Sequence, residues 1–447
     1  MILLKEYNGQ WSIPGSEIWF DGTLTFSIEK GGELKLFGNL KEHFFDRSNK
    51  EIILGKTSEG EITLINSFHK STSSGNGITT QKYEPSIILD GIHVNEHSQL
   101  TFKSALFRAH NLFQWIDKTA IDLLNPRNDC KKYSIEYEAP ENIPFSFGEE
   151  KGGFISFDAP LTTNGVNNKI EMYEEAYVHL HYNQPLIYNS ILTDISKFIN
   201  FLSLVTYEQS FPTSIILMDE NQTLRKEQDK PYKPVRCIYK HTKYSKRHKI
   251  RDPWYHIISF QDISPKFSDI IYKWYNLHQE MESEILLLIN FLRNKYLFSE
   301  DRFMECIRAI ESFHRINYKN QKLDKNEYDN LVRQVKTNSK LSGQDMEWLN
   351  AKLMGNEPSL GMRLIELKKK YNNEFINKHI DNKVFTDAKN SRNYYTHFSK
   401  SAKKKALQGA ELSNLTRKLR GLLISALLTE LDIESKLFIE KLEYHLI

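Results

Sequence analysis

An arginine, an asparagine and a histidine stand close together in the stretch Asp387–Phe398: Arg392, Asn393 and His397. A histidine side chain ionises near neutral pH, so it can accept or donate a proton there. The guanidinium of arginine stays charged, and its planar fork matches a phosphate group. RNA carries its own nucleophile, the 2′-hydroxyl. This set of residues therefore suits metal-free cleavage of RNA, with His397 moving protons, Arg392 stabilising the phosphate and Asn393 holding a neighbouring group in place.

The spacing of Arg392 and His397 does not by itself single out this pair. Chance placement of the chain's arginines and histidines gives about 1.6 pairs with four to six intervening residues. The sequence contains four such pairs: Arg236 and His241, Arg251 and His256, Arg308 and His314, and Arg392 and His397. Only the last two lie in helical sequence, and of these two only the last has a small polar residue directly after its arginine. We therefore predict that Arg392 and His397 form the catalytic pair, with Arg308 and His314 as the runner-up.

Helix geometry limits how the catalytic pair can act. Five positions of an ideal helix turn the chain by about 500°, which leaves the two side chains roughly 140° apart. One solution is a helix boundary that bends the motif, and Asp387, Asn390 and Ser391 are plausible helix N-caps. The other solution is a second copy of the chain, placed by a twofold axis so that both sets share one cleft. We predict the twofold dimer.

Composition sets broad limits on the protein class. The 447 residues fit two or three domains, and a net charge of +3 restricts any nucleic-acid binding to local patches. Three scattered cysteines do not make a disulfide framework and indicate a reducing compartment. The first residues lack the features of a signal peptide, and no apolar run is long enough for a membrane span. We expect a cytoplasmic protein without membrane contact.

The first part of the chain is predicted to be rich in β-strands. Polar and apolar residues alternate in several runs separated by Gly, Asn, Ser and Pro, which is typical of half-buried antiparallel strands. These runs are 23–28, 33–36, 61–65, 99–102 and 153–157, and shorter strand-like runs follow at 213–218, 235–239 and 254–260. Helices are expected at 111–124 and, from one apolar face, at 191–205. The sequence predicts a sandwich or barrel-like β domain over residues 1–262.

The remainder, residues 263–447, follows a helical pattern. Apolar residues recur at helical spacing from Ile270 to Leu292, and Ser299-Glu300-Asp301 is an acidic start for the next helix. Further helices are expected at 326–335, 346–354 and 360–371, then one through the catalytic stretch, one over 402–431 and one over 434–444. The fold class is therefore α+β, with a β-rich half followed by an all-α half.

The helical half with its Arg392-Asn393-Tyr394-Tyr395-Thr396-His397 stretch resembles the HEPN ribonucleases, whose signature is Arg, a polar residue and a His after four to six intervening positions. The layout of a β-rich half before such a domain is similar to the ApeA-type abortive-infection proteins of bacteria. Gly9-Gln10-Trp11 and the run 20–24 fit the N-terminal half of that family. The resemblance implies homodimeric, metal-independent RNases that need no cofactor. It further implies host RNA as substrate, tRNA being one candidate, and a phage component, such as a phage protein, as trigger.

Other residues are candidates for support and for RNA binding. Glu311 lies in a helix predicted to pack near the motif, where it can pair with Arg392. Tyr394 can stack on an unpaired base. Basic side chains that can guide the RNA backbone occur in two runs, Lys403, Lys404 and Lys405, and the stretch 240–251 with Lys246 and Arg247. A run of three charged residues is equally typical of an ordinary solvated helix face without a role in RNA binding.

Rival interpretations of the sequence remain open. Cys237, His241 and His248 lack the paired spacing of a zinc site, so no metal is predicted. The helical half is alternatively a non-catalytic module that dimerises or holds RNA or protein, and RNA binding without cleavage would distinguish it. A third alternative is a toxin-neutralising partner protein, for which overexpression would cause no growth defect.

Overall fold

The computed structural model describes residues 5–27, 30–40, 48–75, 77–124, 134–164, 169–219, 233–239, 252–293, 297–353 and 355–447. These residues form strands β1 to β16 in chain order: Lys5–Ser12, Phe20–Ser27, Gly31–Phe37, Lys50–Thr57, Gly60–Gly75, Ile78–Asp90, Thr101–Ala109, Ile121–Leu124, Ser134–Tyr137, Ile143–Gly148, Lys151–Asp158, Leu161–Asn164, Lys169–Met172, Glu175–Ile187, Pro212–Asp219 and Lys233–Tyr239.

The same residues form helices α1 to α14: Leu112–Ile116, Tyr188–Thr206, Phe260–Ile263, Phe267–Glu280, Glu282–Arg293, Ser299–Asn317, Lys325–Asn338, Gly343–Lys352, Leu360–Lys370, Glu374–His379, Asn382–His397, Lys400–Lys403, Gly409–Glu430 and Ile439–Leu446. Within the described ranges, no helix combines the length and apolar character needed to cross a bilayer. All of the described strands precede the series α3 to α14, so the predicted α+β class is confirmed.

Six of the strands close into a barrel. Neighbouring strands run in the order β6-β3-β2-β1-β4-β5, and β5 pairs back onto β6. All of these pairings are antiparallel. Alternate residues point inward, and Trp11, Leu24, Leu34 and Tyr83 are fully buried in one apolar cluster inside the barrel. The alternating pattern read from the sequence thus reflects the two faces of barrel strands.

The other strands of the large sheet extend from β6 in the order β16, β15, β7, β14, β11 and β10. Helix α2 packs on β7 and β14 of this extension. Its apolar face, including Ile191, Ile195 and Phe198, is buried as the helical spacing predicts. The barrel with additional strands is therefore the observed form of the predicted β-rich half.

One continuous apolar core joins the sheet extension to the helical part. Helix α4 packs on β10 and α2. The indole N–H of Trp274 donates to the Lys197 carbonyl at 2.8 Å, and the Tyr275 hydroxyl donates to the Asp194 carbonyl at 2.7 Å. The two parts therefore share packing and buried hydrogen bonds, and a domain border at residue 263 stays a prediction.

Three local predictions were wrong. Residues 111–124 form only the short helix α1, which Asp117 ends in the left-handed region, and Ile121–Leu124 pairs as a strand with Ser134–Tyr137. Residues 254–260 are not a strand, because Pro253 starts a 3₁₀ turn whose Trp254 N–H is capped by Asp252. The helix expected over 402–431 is interrupted, and its main part begins at Gly409, whose φ is +55°.

Candidate active site

Helix α11 carries the predicted catalytic residues. Asp381 caps its start by accepting a hydrogen bond from the Val384 N–H at 2.9 Å, and this bond lowers the pKa of Asp381. Asp387, Asn390 and Ser391 lie inside the helix and are not its N-caps, so that prediction was wrong. No helix boundary separates Arg392 from His397, which excludes the bent-motif solution within one chain.

The helix ends at His397, where Phe398 adopts a left-handed φ of 50° and its N–H donates to the Tyr394 carbonyl at 2.6 Å. Two bonds tie the following loop to this end: the Leu407 N–H donates to the buried Ser391 hydroxyl at 3.1 Å, and the Tyr395 hydroxyl donates to the Leu407 carbonyl at 2.9 Å. The end of α11 is therefore held by the backbone bond of Phe398 and by two bonds to Leu407 in the following loop.

Arg392 and Asn393 line a cavity of about 290 Å³, here called the motif cavity. Its charged lining residues are Glu311, Arg315, Glu357, Arg363, Lys389 and Arg392. Four of these are cations and two are carboxylates, so the cavity wall carries a formal excess of positive charge. A phosphate is the kind of group that such a wall attracts.

Glu311 and Arg392 lie next to each other in the lining of the motif cavity. The carboxylate oxygen Oε1 of Glu311 lies 3.7 Å from Nη2 of Arg392, and both side chains are partly exposed. Helices α6 and α11, which carry these residues, are packed against each other. The contact restricts where the guanidinium can point, and the supporting role predicted for Glu311 remains a proposal.

His397 lies apart from the motif cavity. It is exposed, stands at the last position of α11 and is not among the residues that line the cavity. The helix rotation between Arg392 and His397 explains this separation. A single copy of the chain therefore presents the two groups on different sides of one helix.

The runner-up histidine is part of the core. His314 is completely buried, and its two ring nitrogens are occupied by Arg363 at 3.0 Å and Glu366 at 2.5 Å. Burial lowers the pKa of His314, the hydrogen bond with Glu366 partly offsets this, and the charge of Arg363 adds to the lowering. Its sequence partner Arg308 is exposed to solvent. The Arg308 and His314 pair is thus not assembled into a site.

The candidate RNA-binding residues fall into different settings. Tyr394 is half-buried and packs against the rings of Tyr395 and Phe398. Lys403, Lys404 and Lys405 are exposed just beyond the end of the motif helix. Lys246 and Arg247 lie outside the described residues. These positions leave the three lysines free to meet a nucleic-acid backbone beside the motif.

Sequence reasoning missed several residues of the motif cavity. Lys389, Arg392 and Asn393 occupy positions i, i+3 and i+4 of one helix face, a spacing that could have identified Lys389. Arg315, Glu357 and Arg363 come from other elements and carried no such signal. Arg363 is buried, and hydrogen bonds from its guanidinium to the Pro358 carbonyl and to the Asn320 side chain compensate for the loss of water.

No metal cluster is apparent among the described residues, where no three His, Cys, Asp or Glu side chains come together in a suitable group. Cys237 is buried, and burial raises the pKa of its thiol to about 12. The thiolate form that binds metals is therefore disfavoured at this position. His241 and His248 lie outside the described residues.

Comparisons with known proteins identify both parts of the chain. Residues 6–274 match the family model described as ApeA N-terminal domain 1, and residues 304–437 match the model described as Apea-like HEPN. No curated protein and no solved structure matches the chain. The first model alone covers more than half of the 447 residues. The chain therefore belongs to the ApeA family, with an Apea-like HEPN domain in its helical part.

Proposed function

We propose that the protein is an endoribonuclease that cleaves RNA without a metal ion, using Arg392, Asn393 and His397 at a site completed by a second copy. HEPN domains of this kind generally indicate ribonuclease activity, and they typically dimerise and bind RNA. One observation carries the proposal furthest. The motif lies within a single helix that points Arg392 into a cation-rich cavity and leaves His397 exposed on another side.

The chemistry needs only groups that the chain and the RNA supply. The 2′-hydroxyl loses its proton and its oxygen attacks the adjacent phosphorus. The bond from phosphorus to the 5′-oxygen breaks, and that oxygen takes up a proton. His397 acts either as the base for the first proton or as the acid for the second. The products are a 2′,3′-cyclic phosphate and a 5′-hydroxyl.

Arg392 stabilises the negative charge that builds up on the phosphate oxygens. Its contact with Glu311 holds the guanidinium at the cavity wall before substrate binds, so less reorganisation is needed during the reaction. Asn393, which lines the same cavity, holds the RNA backbone or a neighbouring side chain. These three residues have distinct roles around one phosphate.

A twofold dimer brings a His397 to the Arg392 of the other copy. The end of α11 is exposed, so a second copy can approach it. The lysines 403–405 follow this end and would line the path of the RNA backbone. Tyr394 would contact RNA only with the exposed part of its ring.

Family membership supports a role in defence by abortive infection. Within that role we propose host RNA as the substrate, tRNA being one candidate, and a phage protein as the trigger. An unrestrained RNase would kill its host, so resting activity must be low. The continuous core between the sheet extension and the helical part provides a physical link for such restraint.

Digestion of RNA in the presence of EDTA tests the proposal. We expect cleavage to persist and the fragments to carry 2′,3′-cyclic phosphate and 5′-hydroxyl ends. Loss of cleavage in EDTA would contradict the metal-free mechanism. RNA binding without cleavage, with and without phage lysate as a source of trigger, would support the rival non-catalytic module instead.

A further inference from the structure

A second cation-rich cavity lies where the end of α2 meets helices α6, α13 and α14. Its volume is about 310 Å³, and we call it the junction cavity. The residues that bear on its chemistry are Tyr207, Arg302, Ser413, Arg417, Arg420 and His445. Ser413, Arg417 and Arg420 share one face of α13 because they are spaced by four and three residues. The cavity is separate from the motif cavity and shares no lining residue with it.

The junction cavity concentrates positive charge. Three arginines line it, and among the described residues no Asp or Glu does. Arg302 and Arg420 both lie over the ring of Phe291, so two guanidiniums share one aromatic side chain. Burial lowers the pKa of Arg302, and the charge of Arg420 contributes in the same direction, while Glu305 partly offsets them. An anion in the cavity would relieve this repulsion.

Arg420 is held rigidly in this wall. Only 4% of its surface is exposed, and its Nη1 donates to the Tyr207 hydroxyl at 2.7 Å. A guanidinium has five N–H donors, so one bond to Tyr207 leaves donors for a bound ligand. A buried and oriented guanidinium loses little conformational freedom when it binds, which favours affinity. The side chain is therefore prepared for an oxyanion.

Aromatic side chains form the neighbouring wall. The rings of Tyr207 and His445 lie with centroids 4.9 Å apart, and the His445 ring contacts the Tyr255 carbonyl at 2.6 Å. A guanidinium cluster matches a phosphate, and an aromatic wall suits a planar base. The cavity volume is at the lower end of the range of about 300–1,000 Å³ that small-molecule sites occupy.

We propose that the junction cavity binds a phosphate-bearing small molecule of mononucleotide size, with Arg302, Arg417 and Arg420 on the phosphate. Its walls come from Tyr207, which directly follows α2 on the sheet extension, and from α6, α13 and α14 of the helical part. A bound ligand would therefore bridge the two parts of the chain. This proposal can be tested independently of the proposed RNase chemistry, because the experiment measures ligand binding alone.

Calorimetric titration of the full-length protein with AMP, and with inorganic phosphate as competitor, tests this site. Arg417 is exposed, so the Arg417→Gln variant should fold normally. We expect wild type to bind AMP more tightly than phosphate, and Arg417→Gln to bind AMP at least about tenfold more weakly. The matched control Lys418→Gln, changed on the same helix outside the cavity, should bind like wild type.

Arg392→Gln separates the junction cavity from the motif cavity. We expect this variant to keep its affinity for AMP. Loss of AMP binding in Arg392→Gln, with none in Arg417→Gln, would place the nucleotide at the motif and overturn the proposal. Absence of binding by AMP and phosphate would also overturn it. Equal affinity for both would overturn the assignment of a nucleotide.

Discussion

Two arginine and histidine pairs with nearly the same spacing have opposite settings in this molecule. His314 of the first pair is fully buried between Arg363 and Glu366, whereas Arg308 points to solvent. In the second pair, His397 is exposed and Arg392 lines the motif cavity. The comparison teaches that burial and partners, not spacing, separate a histidine that holds the fold from one that can reach a substrate.

Substitution in the second pair should give the largest effect on activity. We expect Arg392→Ala and His397→Ala each to lower RNA cleavage by at least about 10²-fold, because proton transfer or charge stabilisation is lost. The free energy of unfolding should change by no more than about 0.5 kcal/mol for His397→Ala, since this side chain is exposed. Cleavage assays and urea denaturation measure the two effects. Undiminished cleavage would rule out this site.

Substitution of the buried histidine in the first pair should mainly lower the free energy of unfolding. His314→Ala leaves the buried guanidinium of Arg363 without one partner, which costs about 1–3 kcal/mol in the free energy of unfolding. Arg308→Ala is the matched control and should change it by less than about 0.5 kcal/mol. Denaturation measures both variants. A stable His314→Ala protein with abolished cleavage would reverse our assignment of the two pairs.

Glu311→Gln tests how the cavity holds Arg392. The 3.7 Å contact is partly exposed, so we expect it to contribute at most about 1 kcal/mol. The rate of RNA cleavage should then fall by no more than about fivefold. Glu357→Gln changes the other carboxylate of the cavity and should leave the rate closer to wild type, because Glu357 pairs with Arg363 and Arg315. A larger loss in Glu357→Gln would point to a different guanidinium as the catalytic one.

The titration of His314 should make the stability of the protein depend on pH. Burial lowers the pKa of this histidine in the folded protein, so the unfolded chain binds the proton at a higher pH. The free energy of unfolding should therefore decrease as the pH falls below about 6.5, by at most about 1.4 kcal/mol per pH unit. His314→Gln should show a flatter dependence in denaturation at a series of pH values. An unchanged slope would mean that His314 is not the residue responsible.

Local sequence patterns predicted which segments form strands and helices better than they predicted which strands pair with each other. Alternation in 23–28 and 61–65 marks strands that do lie in the barrel, and the apolar face of 191–205 marks α2. Barrel closure through β5 and β6 could not be predicted, because it depends on pairing between distant strands. The same limit explains the strand at Ile121–Leu124, where pairing with Ser134–Tyr137 overrides a helical pattern.

The candidate site was also only partly predictable. The sequence predicted its helix and suggested the contact between Glu311 and Arg392, but it did not predict the cavity that they line. Arg363 reaches the site only because the start of α9 packs beside α6 and α11. His397 illustrates the remaining gap: the sequence predicts its chemistry, whereas its position on another side of α11 requires the structure.

The most direct test of a site shared between two copies is complementation between two inactive variants. Arg392→Ala and His397→Ala protomers carrying different tags are coexpressed, and the mixed dimer is purified and incubated with RNA in EDTA. Our account predicts that the mixed dimer cleaves RNA while each variant alone does not, because one intact Arg392 then meets one intact His397 across the interface. A mixed dimer as inactive as its parents would contradict the shared site.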